Sequence, residues 1–468
     1  MTCRAIIFKA FCNAKWNLFL TVSTFSILSW AQLTTVKWSA LQSENMVITN
    51  DSSGQGQVLS TYPSWMQAIY THALSWEPRV KSEQQMDQNS CRLSFSSQNL
   101  EGKLSELSQF EKEKPECIYL PGADKAPGIA KLFKVLSVQF DLSDANHFRK
   151  VIFNIPSAEE KQIHIRGLLA IHDDQKPRPL VILRMGIHGN VDEFLAERFI
   201  AKVAYEDFDY NFLALENLTS HGYVSQDNPI TFGGVDEGLQ TYSVIQEIKN
   251  SNLGKLISAI HLIGISLGAH GVFLTTTLDE ANHHDIKSST VFCPVVNLIS
   301  TLKFHSEAVP YSAFVDLWNR RRLKAIPEKI PELDHTEWWK TFFDFKPRFM
   351  PAILAYIDKH QRKPAEKMPA EMKWPDGLQA HFEKDQSFSN MNNFWPFYKN
   401  TKTPFLIVTT ANDILVSEEI NTAMILQKKQ PGDFTKTHVL QLSHGTHCGL
   451  PPDYQWNFIV SLLKTQWN

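Results

Sequence analysis

The chain of 468 residues has almost no charge imbalance: 46 Lys and Arg stand against 49 Asp and Glu, a net charge of −3. Without a strong global field it has no means of gathering nucleic acid or anionic lipid, so no nucleic-acid partner is expected and any ligand must be recognised locally. There is no C-x-x-C pair and no H-E-x-x-H helix, two spacings by which a sequence announces zinc, and no metal site is expected. The apolar run near the start, Trp16 to Trp30, is about fifteen residues, short of the ~18 that a spanning helix needs. Hydrophobic residues at 43% and charged residues at 20% exclude a disordered chain and a membrane bundle alike.

What is present begins with that run. Arg4, Lys9 and Lys15 precede it, no acidic residue interrupts it, and Ser29 and Ala31 supply small residues at the −3 and −1 positions of a cleavage site. Residues 1–31 therefore read as a signal peptide, with an uncleaved N-terminal anchor as the alternative, and either sends the protein out of the cytosol, to a periplasm or to the medium. After cleavage no stable membrane span is expected. Cys3 and Cys12 leave with the leader, and an oxidising compartment permits disulfides among the other four cysteines. Cys91 and Cys117, close in sequence in a region poor in regular pattern, are the expected pair; Cys293 and Cys448 read as buried thiols.

Residues 32–134 show no sustained hydrophobic period and read either as an extension packed on the main domain or as a separate binding module. From 135 to 298 the pattern becomes β-rich and then alternating, with KVIFNI, IHIRGLLAIH, LVILRMGIHG, NFLALE, AIHLIGIS and STVFCPVV separated by helix-period segments. It resumes over 403–468 with FLIVTT and HVLQLS. Continuous apolar strands between helices imply a mostly parallel sheet with helices on both faces. Residues 299–402, rich in Trp, Phe and Pro, read as a helical cap inserted into that sheet, since a structureless loop of such length is improbable in a compact domain. Arg320, Arg321, Arg322 and Lys324 within it read as a solvated helix face, with recognition of an acidic substrate as the alternative.

The sharpest signal is HLIGISLGAHG at 261–271, a G-x-S-x-G centred on Ser266, entered from an apolar strand and leaving into a helix. A sharp strand-to-helix turn crowds the backbone on both sides of the serine, which is why Gly264 and Gly268 stand there, and leaves the hydroxyl exposed at the strand end. A serine hydroxyl is a weak nucleophile until a base takes its proton and a carboxylate orients that base. Asp413 follows FLIVTT at a carboxyl strand end, where ligands bind in open α/β sheets. For the base, HGTHCGL offers two histidines; His447, farther into the loop, is favoured over His444, which sits at the strand end. An oxyanion needs backbone donors. The N–H of Leu267 is one; RMGIHGN at 184–190 supplies the other through Asn190, with Gly189 allowing close approach and His188 in a supporting role.

On these residues the chain resembles the α/β-hydrolase superfamily, in the G-x-S-x-G elbow, the order Ser266, Asp413, His447 and the His188–Gly189 turn. The resemblance covers about residues 150 to 300 and 400 to 468. It implies an α/β-hydrolase fold of about eight strands, mostly parallel, no cofactor, and hydrolysis through an acyl-enzyme. The expected reaction is cleavage of a carboxylic ester of a small-molecule or lipid-like acyl substrate; amide cleavage and a catalytically silent binding role are the alternatives. Asn217-Leu218-Thr219 fits the glycosylation pattern.

Overall fold

The computed structural model describes residues 36–49, 93–119, 147–156, 162–193, 198–306, 316, 319–320, 323, 326, 330, 347–360, 372–393, 395–428, 435–445, 447–448 and 454–467. The leader 1–31 and Cys91 lie outside them, as do Arg321, Arg322 and Lys324.

The described residues form one sheet of nine strands: β1 (Met46–Ile48), β2 (Phe148–Ile155), β3 (Ile163–Ala170), β4 (Arg178–Arg184), β5 (Asn211–Leu215), β6 (Ile257–Ile265), β7 (Ile286–Phe292), β8 (Phe405–Thr410) and β9 (Thr437–Leu442). Their order across the sheet is β1-β2-β3-β5-β4-β6-β7-β8-β9. Pairs from β1 to β3 and β3 with β5 are antiparallel, and β5-β4-β6-β7-β8-β9 is parallel throughout. From β2 onward this is the strand order of the α/β-hydrolase fold, with β1 added at the edge.

The sequence dictates this arrangement through burial. β5, β8 and the last six residues of β6 are buried without interruption, as strands covered on both faces must be, whereas β2 near the edge mixes buried with half-exposed positions. Successive side chains along the inner strands go to opposite faces. Leu180, Ile182 and Leu262 join one core with residues of the helices α2 (Gly234–Asn250) and α3 (Leu267–Asn282). Val181, Leu183 and Ile263 join a second with α1 (Leu100–Glu113) and α5 (Trp456–Trp467). Between α3 and α5, α4 (Phe349–His360) belongs to residues 299–402, in which every described regular element is a helix. Leu323, Ile326, Phe349, Met350 and Ile353 from that region form a third cluster over the carboxyl end of the sheet, with Leu267, Val295 and Val416. The chain reaches β5 on one side of β4 and β6 on the other, so the reversal of strand order opens a crevice at the carboxyl end of β4 and β6.

Residues ahead of 135 touch both ends of the sheet. β1 pairs with β2 at one edge, while Leu104 and Leu107 of α1 enter the second core and Glu111 accepts the Ser443 N–H (2.9 Å) just beyond β9. Among the described residues no helix is long and apolar enough to cross a membrane.

Candidate active site

Ser266 stands between the end of β6 and the start of α3, at φ 54° and ψ −119°. A side chain in that region is strained by ~1–3 kcal/mol and persists only where surroundings enforce it. Here the Ser266 N–H donates to Phe292 O (2.9 Å), and its carbonyl accepts from Ala269 (3.2 Å) and Val295 (3.2 Å). The flanking glycines answer to close approach. A Cβ on Gly264 would stand 2.5 Å from Ala269 Cα, and one on Gly268 2.3 Å from Met185 O and 2.6 Å from Arg184 O, separations no side chain tolerates.

The structure brings Asp413 and His447 to that serine. His447 Nε2 lies 2.9 Å from Ser266 Oγ and its Nδ1 lies 2.8 Å from Asp413 Oδ2. With Nδ1–H donated to the carboxylate, neutral His447 presents Nε2 as an acceptor for the serine proton. Asp413 is buried and Oδ1 accepts the N–H groups of Leu415 (2.8 Å) and Val416 (2.9 Å), so its orientation is fixed by its own loop. His305 reinforces that loop by donating Nε2–H to Leu415 O (2.5 Å); burial pushes its imidazole toward the neutral form. Sequence reasoning missed His305, which lies in no motif.

His444 goes elsewhere. Its ring meets Tyr119 edge-on at 5.2 Å, and its carbonyl accepts from Tyr454 Oη (2.6 Å). Glu111 and Tyr119 thereby anchor the start of the loop that carries His447, since Glu111 also accepts from Ser443 Oγ (2.8 Å) and Tyr119 bonds the Ser443 and His444 N–H groups. Desolvation, with Glu111 next, raises the Tyr119 phenol far above its ordinary pKa, so it remains a donor.

In the loop after β4, Gly186 is the residue against the nucleophile: a Cβ there would lie 3.3 Å from Ser266 Cβ. Gly189 instead packs on Met185 and spends its N–H on Gly186 O (2.8 Å). His188 is buried at φ 60°, its N–H bonded to Thr219 Oγ1 (2.8 Å), its Nδ1 to Thr219 O (2.9 Å) and its Nε2 to the Asn319 amide (2.7 Å) in the cap region. Asn190 turns its side chain to the Asp192 N–H (2.9 Å). Ile187 and Asn190 are the residues of 187–190 whose N–H groups no described residue accepts. Leu267 N–H, first in α3, has no intrahelical acceptor.

Three readings of the sequence need correction. Cys293 and Cys448 are joined in a disulfide and are not free thiols, with Cα atoms 5.1 Å apart; positions 155 residues apart gave no hint of pairing. Cys117 is also disulfide-bonded, but Cys91 lies outside the described residues. Asn217 is wholly buried, its amide donating to Met185 O (3.2 Å) and Glu237, so the glycosylation pattern is closed in the folded protein. Arg320 is half-buried and stacks 4.8 Å from the Phe349 ring, part of the packing and not a solvated face.

Beneath the site lies a buried polar layer. Arg184 at the end of β4 pairs with Glu237 (3.4 Å) from the first turn of α2. Burial raises the Glu237 carboxyl from 4.5 to about 7, and Glu216 to about 7 likewise. Within the third cluster a small depression is lined on one side by Leu218, Thr219, Val224 and Phe232 and on the other by Leu323, Ile326, Met350 and Ile353. The described tryptophans of the cap region, Trp374 and Trp395, pack into the sheet's core and not into this depression.

No protein-family model matches the chain, and no curated protein matches it in sequence. Solved structures do resemble it in fold. An esterase of Pyrococcus furiosus aligns at 13% identity and TM-score 0.41 over 70% of this chain and 97% of its own. Lipase A of Candida antarctica aligns at 15% identity and TM-score 0.40 over 66% of this chain and 75% of its own.

Proposed function

We propose that the protein is an exported serine hydrolase that cleaves carboxylic esters through an acyl-enzyme. The observation that carries this reading is the unbroken chain Ser266 Oγ, His447, Asp413, at 2.9 and 2.8 Å, with the serine held in a strained turn. His447 takes the Ser266 proton as Oγ attacks the ester carbonyl, and Asp413 stabilises the imidazolium that forms. The Leu267 N–H and one from the loop 187–190, Ile187 or Asn190, face the oxyanion. His447 then returns the proton to the leaving alcohol; water, deprotonated by the same residue, releases the acid. The layer Asn217, Glu237, Arg184 supports the carbonyl of Met185 and so the path of that loop.

The aliphatic side chains Leu323, Ile326, Met350 and Ile353, which residues 299–402 bring into one cluster with Leu267, favour an apolar acyl group over a sugar or a charged peptide. Export rests on the apolar leader and on the disulfides that an oxidising compartment permits. The test is turnover of p-nitrophenyl esters of increasing acyl length by the mature protein. A kcat/KM that rises from acetate to a short or medium chain and is lost in Ser266→Ala supports the reading. Faster release of amine from peptide substrates would replace the ester by an amide.

A further inference from the structure

We infer that the Cys293–Cys448 disulfide is the positioning device for the base, so that the redox state of this one bridge sets the turnover of the site; the inference rests on the serine-hydrolase reading above. Cys448 follows His447 directly, and Cys293 follows Phe292, whose carbonyl holds the Ser266 N–H (2.9 Å). The bridge therefore ties the residue after the base to the residue after the nucleophile's own backbone anchor. Cys448 Sγ lies 3.6 Å from Phe292 O and 3.7 Å from His447 Nε2, so the sulfur stands beside the ring nitrogen that meets Ser266. The Cys293 end is rigid: its N–H donates to Val408 O (2.7 Å) on β8 and its side chain is buried.

The Cys448 end needs that rigidity. Cys448 at φ 53° and Cys293 at φ 41° both occupy the left-handed region, which a side chain holds only when its surroundings impose it. Between His444 and His447 the chain passes through Gly445 at φ 146°, a residue with wide backbone freedom. The anchors at Ser443 and His444 lie upstream of that glycine. Downstream of it, His447 is held by Asp413 and by the bridge.

Reduction is a two-electron exchange with an external dithiol. Its thiolate attacks the half-buried Cys448 sulfur, and the S–S bond breaks with Cys293 as leaving thiolate. The second thiol then attacks the mixed disulfide and frees Cys448; the dithiol ends as a cyclic disulfide and the protein as two thiols. His447 then keeps its bonds to Asp413 and Ser266 without the bridge behind them, and the fraction of molecules with Nε2 on Ser266 falls.

The experiment compares oxidised protein with protein treated with dithiothreitol, and wild type with Cys293→Ser/Cys448→Ser, on p-nitrophenyl butyrate. We expect reduction to lower kcat of wild type about tenfold or more with KM within twofold, and reoxidation to restore it. The double variant should show the low kcat from the start and not respond to dithiothreitol, which separates this bridge from that of Cys117. A second readout does not need turnover: the downfield proton resonance of His447 Nδ1–H, absent in Asp413→Asn, should be sharp when oxidised and lost on reduction. Full kcat and an unchanged resonance in wild-type protein whose Cys293 and Cys448 are both alkylated after reduction would overturn the inference, whether or not the double variant folds. An oxidised, folded protein that turns over no ester would instead strike the hydrolase reading, and the resonance alone would then decide the role of the bridge.

Discussion

At Ser266 a strained backbone is held by its own strand, the helix it opens and the adjacent strand β7, all within 30 residues of sequence. At His447 the turn depends on partners far away: Glu111 and Tyr119 hold Ser443 more than 320 residues distant, and Cys293 lies 155 residues back. The difference separates a motif from a constellation. A motif's geometry follows from neighbours in the chain, so its glycines and its apolar strand can be read directly; a constellation is assembled by the fold and shows itself only once strands are in register.

The largest effects come from breaking the two turns at their reactive atoms. Ser266→Ala and His447→Ala should each lower kcat by ~10⁴ to 10⁶, and Asp413→Asn by ~10⁴, because triad members act as a unit. His444→Ala should keep activity within tenfold, since its ring meets Tyr119 and not the serine; ester turnover under saturating substrate checks all four, and a reversal between the two histidines would exchange their roles. Gly268→Val tests the nucleophile's turn and its packing on β4. With Met185 O and Arg184 O closer than 3 Å to any Cβ, α3 must shift, and we expect a stability loss of ~1–3 kcal/mol measured by denaturant unfolding, with activity lost as well.

The borrowed turn has a gentler probe in Glu111→Ala. It removes three bonds to Ser443 and Tyr119 without touching the site, so kcat should fall several-fold with KM unchanged, and the same substitution should leave labelling of Ser266 measurable. Unchanged kcat would limit residues 93–119 to packing.

The effect on activity is smallest in the buried layer beneath the nucleophile's turn. Glu237 has its carboxyl raised from 4.5 to about 7 by burial, so the folded state binds more protons than the unfolded chain between those values. Stability is then greatest below about pH 4.5 on this account and falls as pH rises to about 7, where it levels off. Thermal melts of Glu237→Gln against wild type across that window should show a flatter profile in the variant; an identical slope would remove Glu237 as its source.

The sheet was legible because its inner strands are apolar without interruption: FLIVTT begins and ends where β8 does, at Phe405 and Thr410. So was the meeting of Ser266, Asp413 and His447, each in the turn or loop that follows an apolar strand. The loop after β4 was only half legible. R-M-G-I-H-G-N offers two glycines, and sequence reasoning favoured the His188–Gly189 pair, whereas the chain turns so that Gly186 meets Ser266 and Gly189 faces Met185. His188 also proved to reach the cap region through Asn319, a contact between residues 131 apart that no local signal carries. The Cys293–Cys448 bridge and β1 were illegible for the same reason, each depending on a register set elsewhere.

The most direct test is labelling of the oxidised protein with a fluorophosphonate, followed by mass spectrometry of the modified peptide, in wild type and His447→Ala. Phosphonylation of Ser266 in wild type, slowed by at least a hundredfold in the variant, is the predicted result. A folded wild-type protein that takes no label at Ser266, or takes it equally without His447, would contradict a serine made nucleophilic by that histidine.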